Sequence, residues 1–239
     1  MANLKSIKSQ IISYKKTGTV THAMEAVSAV KMRKGQERAL SGRSYAAAAL
    51  SILERLAGTA DVSRHPLMQT RSGKTAFIVV TSDKGLAGAL NSGVYRKAEQ
   101  EISRLNLDKK DVEIMAFGKK ASDYFSARGY TIRVSKTNLR DDVSEMDMSA
   151  ITSEIFAHGD ISAVYVSYQN FLSTFEQEPV VRQIVPITPE TILAMVEGIR
   201  PAKGKYAPQH EQNLTRPAAY SIEPDADTVL GVLLPRLLN

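Results

Sequence analysis

The sequence predicts an α/β protein: a Rossmann-like domain with a mainly parallel sheet, joined to a long N-terminal coiled-coil helix. Two observations lead to this prediction. The first 57 residues contain no proline and only three glycines, and their apolar residues recur at steps of three and four. From Lys74 onward, apolar runs of strand length alternate with segments of helical spacing, which is typical of βαβ units with helices on both faces of a sheet.

The long helix is predicted over residues 1–58, a length of roughly 80 Å at about 1.5 Å per residue. Its apolar spacing slips near Gly18, so that a second series replaces the first, and a third follows. Gly18, Gly35 and Gly42 each cost about 1 kcal/mol inside a helix, so we expect this helix to need a packing partner. The three series are Leu4, Ile7, Ile11 and Tyr14; Val20, Met24, Val27 and Val30; and Tyr45, Ala49, Ile52, Leu53 and Leu56.

The remainder is predicted to comprise a linker over 59–74, an α/β domain over 75–225 and the start of a second long helix over 226–239. Residues 188–225 are rich in proline, lysine and glutamine and predict irregular structure, with one strand near Ala218–Ile222. The predicted strands of the domain are Thr75–Thr81, Asp111–Phe117, Tyr130–Val134, Ile161–Tyr168 and Pro179–Ile187. The predicted helices are Gly88–Leu105, Lys119–Ala127 and 145–158.

Composition restricts the possible functions. The chain has no cysteine, so disulfides and thiolate chemistry are excluded, and no apolar run is long enough to span a membrane. Residues 1–43 carry nine basic and two acidic side chains, a net charge of +7, whereas the other 196 residues carry −1. We therefore expect the long helix to meet an acidic partner.

A glycine-rich turn, TSDKGLAGALN over Thr81–Asn91, follows the first predicted strand and raises the possibility of a nucleotide phosphate site. Its G-x-x-G spacing fits neither the dinucleotide fingerprint nor the phosphate loop, because Lys84 precedes the first glycine. The other interpretation is that Gly85 and Gly88 allow a tight turn and a close approach of helix to sheet. The histidines are scattered and the acidic residues near 141–147 lack the spacing of a calcium loop, so we predict no metal, no cofactor and no catalytic residue.

The basic helix leaves three kinds of partner to compare. Nucleic-acid binding favours arginine clusters or stacking aromatics, and a helix lying on a membrane favours Trp or Phe on its apolar face. Residues 1–43 contain one aromatic residue, Tyr14, and their basic side chains are spread along the axis. A protein partner is the interpretation that these features favour.

Three segments resemble the γ subunit of the rotary F-type ATP synthase, and the resemblance extends over the whole chain. The first is KTGTVTHAMEAVSAVKMRK, similar to the family's apolar-spaced run that ends in K-M-R-[RK]. The second is TSDKGLAGALN, close to [ST]-[ST]-D-[RK]-G-L-[CA]-G-x-[LY]-N. The third is YSIEPDADTVLGVLLPRLLN, similar to the Tyr-x-x-Glu-Pro segment that leads into the family's C-terminal helix.

The resemblance implies a non-catalytic rotor subunit that carries torque between an ion-driven c-ring and the catalytic ring of α and β subunits. It implies contacts with the ε subunit, attachment to the membrane only through the complex, and a place on the cytoplasmic face of a bacterial inner membrane. It also implies roles for individual residues. The expected contacts with β subunits are Met24, Lys31, Arg33, Lys34 and Lys74; the signature turn includes Asp83, Lys84, Gly85, Gly88 and Asn91; and the expected foot near the c-ring and ε comprises Thr215, Arg216 and Tyr220.

The chain also departs from the family pattern. Gly18 and Thr19 stand where the family commonly has a polar or basic pair, and the family's C-terminal helix continues well beyond Pro-Arg-x-Leu-Asn, whereas this sequence ends at Asn239. We therefore expect the partner helix of the coiled coil to be truncated. The alternatives to a rotor subunit are a nucleotide-binding α/β protein that uses the Gly85–Gly88 turn and a basic coiled-coil protein that binds nucleic acid. We also predict that Asp83 and Lys84 help to fix the domain to the long helix.

Overall fold

A computed structural model describes residues 3–56, 67–69, 71–139, 160–173, 175–188 and 191. The chain divides into two compact units, residues 1–42 and 43–239. The predicted helix over 145–158, the strand near Ala218–Ile222, the C-terminal segment 226–239 and the foot residues Thr215, Arg216 and Tyr220 lie outside the described residues. The predicted domain boundaries remain a prediction.

The first element is a single helix, α1, over Leu4–Leu56, close to the predicted limits of 1–58. Gly18 and Gly35 do not interrupt it, and a side chain at either position would meet open space. Three threonines flank Gly18, and each hydroxyl donates to the carbonyl four residues earlier, at 2.7 to 3.1 Å: Thr17 to Ser13, Thr19 to Lys15 and Thr21 to Thr17. These hydroxyls therefore have partners even where the helix surface is exposed.

The second unit contains a five-stranded sheet with the strand order β3-β2-β1-β4-β5. Strands β1 to β4 are parallel, and β5 is antiparallel to β4 at one edge, so the predicted mainly parallel sheet is confirmed. The strands are β1 (Lys74–Val80), β2 (Val112–Phe117), β3 (Thr131–Lys136), β4 (Ile161–Phe171) and β5 (Gln177–Val185). The described helices of this unit that follow β1 and β2 are α2 (Leu90–Arg104) and α3 (Lys119–Ser126), with a short 3-10 turn at Lys109–Asp111.

Both faces of the sheet are covered, as a parallel sheet requires. All six residues of β2 are buried, which explains why VEIMAF is a nearly continuous apolar run rather than an alternating one. One buried cluster contains Phe77 and Val79 of β1 together with residues of α2 and α3, among them the fully buried Phe125. The opposite face carries a second cluster: Ala76, Met115, Phe117, Val134, Ile161, Val164 and Val185.

The sheet topology places the signature turn at its carboxyl edge. The chain runs from β1 outward through β2 to β3 and then returns to the other side of β1 as β4, so the order reverses between β1 and β4. In open α/β sheets, ligands bind at this edge beside such a reversal. The turn over Thr81–Asn91 follows β1 directly and is therefore the place where the nucleotide-binding alternative is tested.

Candidate functional site

The first three residues of the signature turn cap helix α3. The Lys119 amide donates to Asp83 Oδ1 at 2.8 Å, and the Lys120 amide donates to the Ser82 carbonyl at 3.2 Å. The Ala121 amide donates to Thr81 Oγ1 at 2.9 Å. The first amides of a helix have no acceptor within their own helix. At the start of α3, three successive amides therefore find acceptors in three successive residues of the signature turn.

Asp83 also reaches the loop after β3, because the Asn138 amide donates to its Oδ2 at 2.9 Å. The carboxylate therefore connects the ends of β1, β2 and β3 within the α/β unit. A helix N-terminus is a favourable place for an anion, and at α3 the chain's own carboxylate occupies it. A nucleotide phosphate at this end of α3 would be repelled by Asp83, which argues against the nucleotide-binding alternative. The predicted role of Asp83 and Lys84 in fixing the domain to α1 stays a prediction.

The other end of the turn is closed by Asn91, in the first turn of α2. Its Oδ1 accepts from the Ser82 amide at 3.0 Å, and its Nδ2 donates to Ser82 Oγ at 2.8 Å. Ser82 Oγ in turn donates to the Lys84 carbonyl at 2.6 Å. Ser82 is therefore engaged in structural hydrogen bonds, and Asn91 holds the turn against the start of α2.

The two glycines of the turn differ in what they do. Gly88 has φ +56°, a left-handed conformation that favours glycine, so the predicted tight turn is confirmed there. Gly85 has neither a left-handed φ nor a close neighbour, so the prediction that it serves a tight turn or a close approach is wrong. The close approaches lie elsewhere: a Cβ on Gly93 of α2 would lie 3.3 Å from Pro179 Cγ, and one on Gly118 would collide with the Thr81 carbonyl.

Lys74 lies at the other edge of the sheet and takes part in an ion network. Its Nζ donates to Glu113 Oε1 at 2.9 Å, and Arg133 donates to Glu113 Oε2 at 2.7 Å. Arg133 also donates to both carboxylate oxygens of Asp160, at 3.0 and 3.1 Å. These four residues, which we call the amino-edge network, connect the beginnings of four neighbouring strands.

The electrostatics of the amino-edge network are dominated by Glu113, whose side chain is only 8% exposed. Burial by itself raises the pKa of Glu113, but hydrogen bonds from Arg133 and Lys74 outweigh it and lower the pKa below its ordinary value. The same hydrogen bond to Glu113 raises the pKa of Lys74. The resemblance predicts that Lys74 contacts a β subunit; the structure gives it a partner within the sheet, Glu113, and the β contact remains a prediction.

On α1, the expected contact residues do not share one face. Met24 and Lys31 are seven residues apart, about two helical turns, so they lie on the same face; Arg33 is nine residues from Met24, about two and a half turns, and lies on the opposite side. Met24 is 56% exposed, and Arg33 pairs with Glu37 at 3.0 Å on the surface. A single flat surface cannot contact Met24 and Arg33 together, whereas a partner that surrounds the helix can.

The face of α1 that carries the second apolar series becomes basic further along the helix. Val20, Met24 and Val27 are followed at the same steps of four and three by three cations: Lys31, Lys34 and Arg38. This change from apolar to basic along one face is visible in the sequence once the helix is known to be continuous. The first series lies on another face, since Ile11 and Val20 are nine residues apart.

These features together define a class of protein: a Rossmann-like α/β unit in which the signature turn caps α3, and a long helix whose described apolar and basic side chains are exposed. None of the described helices is long and apolar enough to cross a bilayer.

The model of the ATP synthase family matches residues 3–239. The ATP synthase gamma chain of Pelotomaculum thermopropionicum is 33% identical over 243 aligned residues, which cover 100% of this chain and 78% of the relative. That of Cupriavidus pinatubonensis is 37% identical, with 100% and 79% covered. This chain therefore belongs to the ATP synthase gamma chain family. In fold it is similar to a chain of the Tetrahymena thermophila mitochondrial ATP synthase central stalk and c-ring, with a TM-score of 0.61, 19% identity, and coverage of 92% of this chain and 87% of that chain.

Proposed function

We propose that this chain is the central-stalk rotor subunit of an F-type ATP synthase, transmitting torque between an ion-driven c-ring and a catalytic ring of α and β subunits. Membership of the gamma chain family supports the proposal. In this role the chain has no catalytic residue and binds no nucleotide, because the chemistry belongs to the β subunits. Its further partners are the ε subunit and the c-ring. It is held at the cytoplasmic face of a bacterial inner membrane only through the complex.

The observation that carries the proposal is the surface of α1. Along the described part of this helix, large apolar side chains are between 42% and 75% exposed, on more than one face. Covering such a surface with a partner is favourable, by about 25 cal/mol for each Å² of apolar area removed from water. Contact residues on opposite faces, such as Met24 and Arg33, suit a partner that encloses the helix.

The basic continuation of the second apolar series supports an acidic partner. Exposed cations gain from acidic neighbours mainly through long-range attraction, which is screened by salt over about 10 Å at 0.1 M ionic strength. We therefore expect association with the α and β subunits to weaken as salt is added, and to depend on Lys31 and Lys34.

The test is reconstitution of the α, β and γ complex with Lys31→Glu plus Lys34→Glu. The matched control is Lys97→Glu on the exposed side of α2. We expect the double variant to weaken assembly by about tenfold or more, as reversal of two interfacial charges does, and the control to assemble normally. Equal assembly of all three proteins would contradict the role of this face.

The nucleotide-binding alternative has its own measurement, isothermal titration of the free chain with ATP and with NAD. The rotor proposal expects no binding. Micromolar binding that is lost in Gly88→Val would contradict it and support the alternative.

A further inference from the structure

Residues 17–21 of α1 have a low local preference for a helix. Their sequence, TGTVT, consists of one glycine and four β-branched residues. Glycine has the lowest helix propensity after proline, and β-branched side chains lose rotational freedom in a helix. Residues 22–34, which follow, contain three alanines and neither glycine nor threonine. The helix therefore continues through residues 17–21 without local support from their composition.

The threonine hydroxyls of this segment weaken the helix further. They donate to carbonyls that α1 also uses for its backbone hydrogen bonds: Thr17 to Ser13 at 3.0 Å, Thr19 to Lys15 at 3.1 Å and Thr21 to Thr17 at 2.7 Å. Hydrogen bonds of this kind slightly destabilise a helix and often bend it. Thr19 is two residues, about 200° of rotation, from each of the other two threonines, so the bonds act on both sides of the helix. They therefore loosen the segment without fixing the direction of a bend.

The same segment lies where the exposed apolar residues of α1 change face. The first series ends with Ile11 and Tyr14, and the second series begins at Val20. Because Ile11 and Val20 are nine residues apart, about two and a half turns, the two series lie on opposite sides of the helix. Residues 15–19, between them, carry no large apolar side chain. Surfaces that cover the two series must therefore approach α1 from opposite sides, and residues 15–19 offer neither of them an apolar contact.

We propose that residues 17–21 are a bending segment, at which α1 yields so that the residues before it and those after it can be seated on separate supports. A rigid helix fits two opposed surfaces only where both lie in line with its axis, whereas a helix that bends between its apolar series tolerates a difference in their directions. A side chain at Gly18 would meet open space, so no neighbouring group blocks the bend there. The use of such a bend inside a catalytic ring rests on the proposed function, whereas the bend itself is tested on the free chain.

The distance between two nitroxide labels on α1 of the free, full chain measures this bending, because the cysteine-free chain accepts labels only where cysteines are introduced. Ser9→Cys with Ala23→Cys brackets residues 17–21, and Glu25→Cys with Ala39→Cys brackets an equal length further along. Each pair is 14 residues apart, about four turns, so its labels lie near one face. A bend of about 20° changes the distance between two groups about 5 Å from the axis by about 2 Å. Double electron–electron resonance should therefore give a distance distribution broader by about 2 Å for the 9/23 pair than for the 25/39 pair.

Substitutions identify what causes the extra breadth. Thr17→Val, Thr19→Val and Thr21→Val keep the β-branching and remove the hydroxyls, and Gly18→Ala removes the glycine. Combined in one chain, these changes should narrow the 9/23 distribution by about 2 Å, to the breadth of the 25/39 pair. Gly35→Ala, whose Cβ also meets open space, is the matched control and should leave the 9/23 distribution unchanged. Fraying from the start of α1 would broaden the 9/23 distribution in the combined variant as well, so this variant separates fraying from bending.

Equal breadth for the two pairs in the chain with its natural residues 17–21 would overturn the proposal, as would a 9/23 distribution that stays broad in the combined variant. Failure of the chain to assemble with α and β subunits would contradict the proposed function and leave the distances in the free chain intact. The two proposals can therefore fail separately.

Discussion

Glu113→Gln is the substitution that examines the amino-edge network most closely. The carboxylate is 8% exposed and accepts two charge-assisted hydrogen bonds, at 2.7 Å from Arg133 and 2.9 Å from Lys74. Glutamine keeps one acceptor oxygen and turns an amide N–H toward the other cation. A hydrogen bond to a charged group contributes about 1.5 to 3 kcal/mol, and Arg133 still has Asp160 as a partner. We therefore expect the free energy of unfolding to fall by about 2 kcal/mol.

The effect must depend on pH in a definite direction. The pKa of Glu113 is lowered from 4.5 in the folded protein. A carboxyl group with a lowered folded-state pKa contributes stability that is complete above its unfolded-state pKa and is lost as the pH falls through the folded-state value. The wild-type protein should thus lose this contribution below about pH 4.5, whereas Glu113→Gln has none to lose. The difference in the free energy of unfolding between the wild-type protein and Glu113→Gln should be largest at neutral pH and should become smaller in acid.

Urea unfolding followed by near-ultraviolet circular dichroism is a suitable assay. The chain has nine tyrosines and no tryptophan, and four tyrosines pack in the α/β unit: Tyr95, Tyr124, Tyr130 and Tyr165. Glu178→Gln, at an exposed position of β5, is the matched control and should change stability by less than about 0.5 kcal/mol. A Glu113→Gln protein as stable as the control at pH 7, or a difference that widens in acid, would refute the reasoning.

Three further predictions concern single positions and the long helix. Gly118→Ala should destabilise the α/β unit by about 3 kcal/mol in the same urea assay, because Gly118 has φ +103° and a Cβ there would collide with the Thr81 carbonyl. Gly85→Ala is the control: its Cβ meets open space, and it should change stability by less than about 0.5 kcal/mol. Similar values for the two variants would contradict the geometry. Lys74→Gln should lower the free energy of unfolding of the α/β unit, and this loss should disappear when Glu113→Gln is already present. If Lys74→Gln instead weakens binding to the α and β subunits without any loss of stability, the predicted contact of Lys74 with a β subunit would be supported. In the free chain, the backbone amides of residues 1–40 should exchange their hydrogens rapidly with solvent, and protease should cleave this segment readily. Strong protection of these amides from exchange would show that α1 needs no partner.

The sheet could be predicted largely because its signals are local. The run VEIMAF reads as a strand buried on both faces, and the apolar spacing before Leu56 reads as one helix. The antiparallel pairing of β5 was not specified by any short pattern, because strand direction depends on contacts far apart in sequence.

The site was harder to predict. The turn TSDKGLAGALN could be recognised as a family signature, but its spacing does not reveal that Asp83 caps a helix 36 residues further along the chain. Lys74 was expected to face a partner, and nothing near it in sequence indicates Glu113, which lies 39 residues away on the next strand. The opposed faces of Met24 and Arg33 could have been derived from the helical period alone.

The central claim, that this chain turns within a catalytic ring, is tested most directly by single-molecule rotation of the reconstituted α, β and γ complex. The cysteine-free chain allows one probe to be attached through Phe175→Cys, at a fully exposed position of the α/β unit. We expect unidirectional, stepwise rotation of the probe when ATP is supplied, stopping when ATP is removed. A probe that stays stationary on complexes that hydrolyse ATP at the normal rate would contradict it.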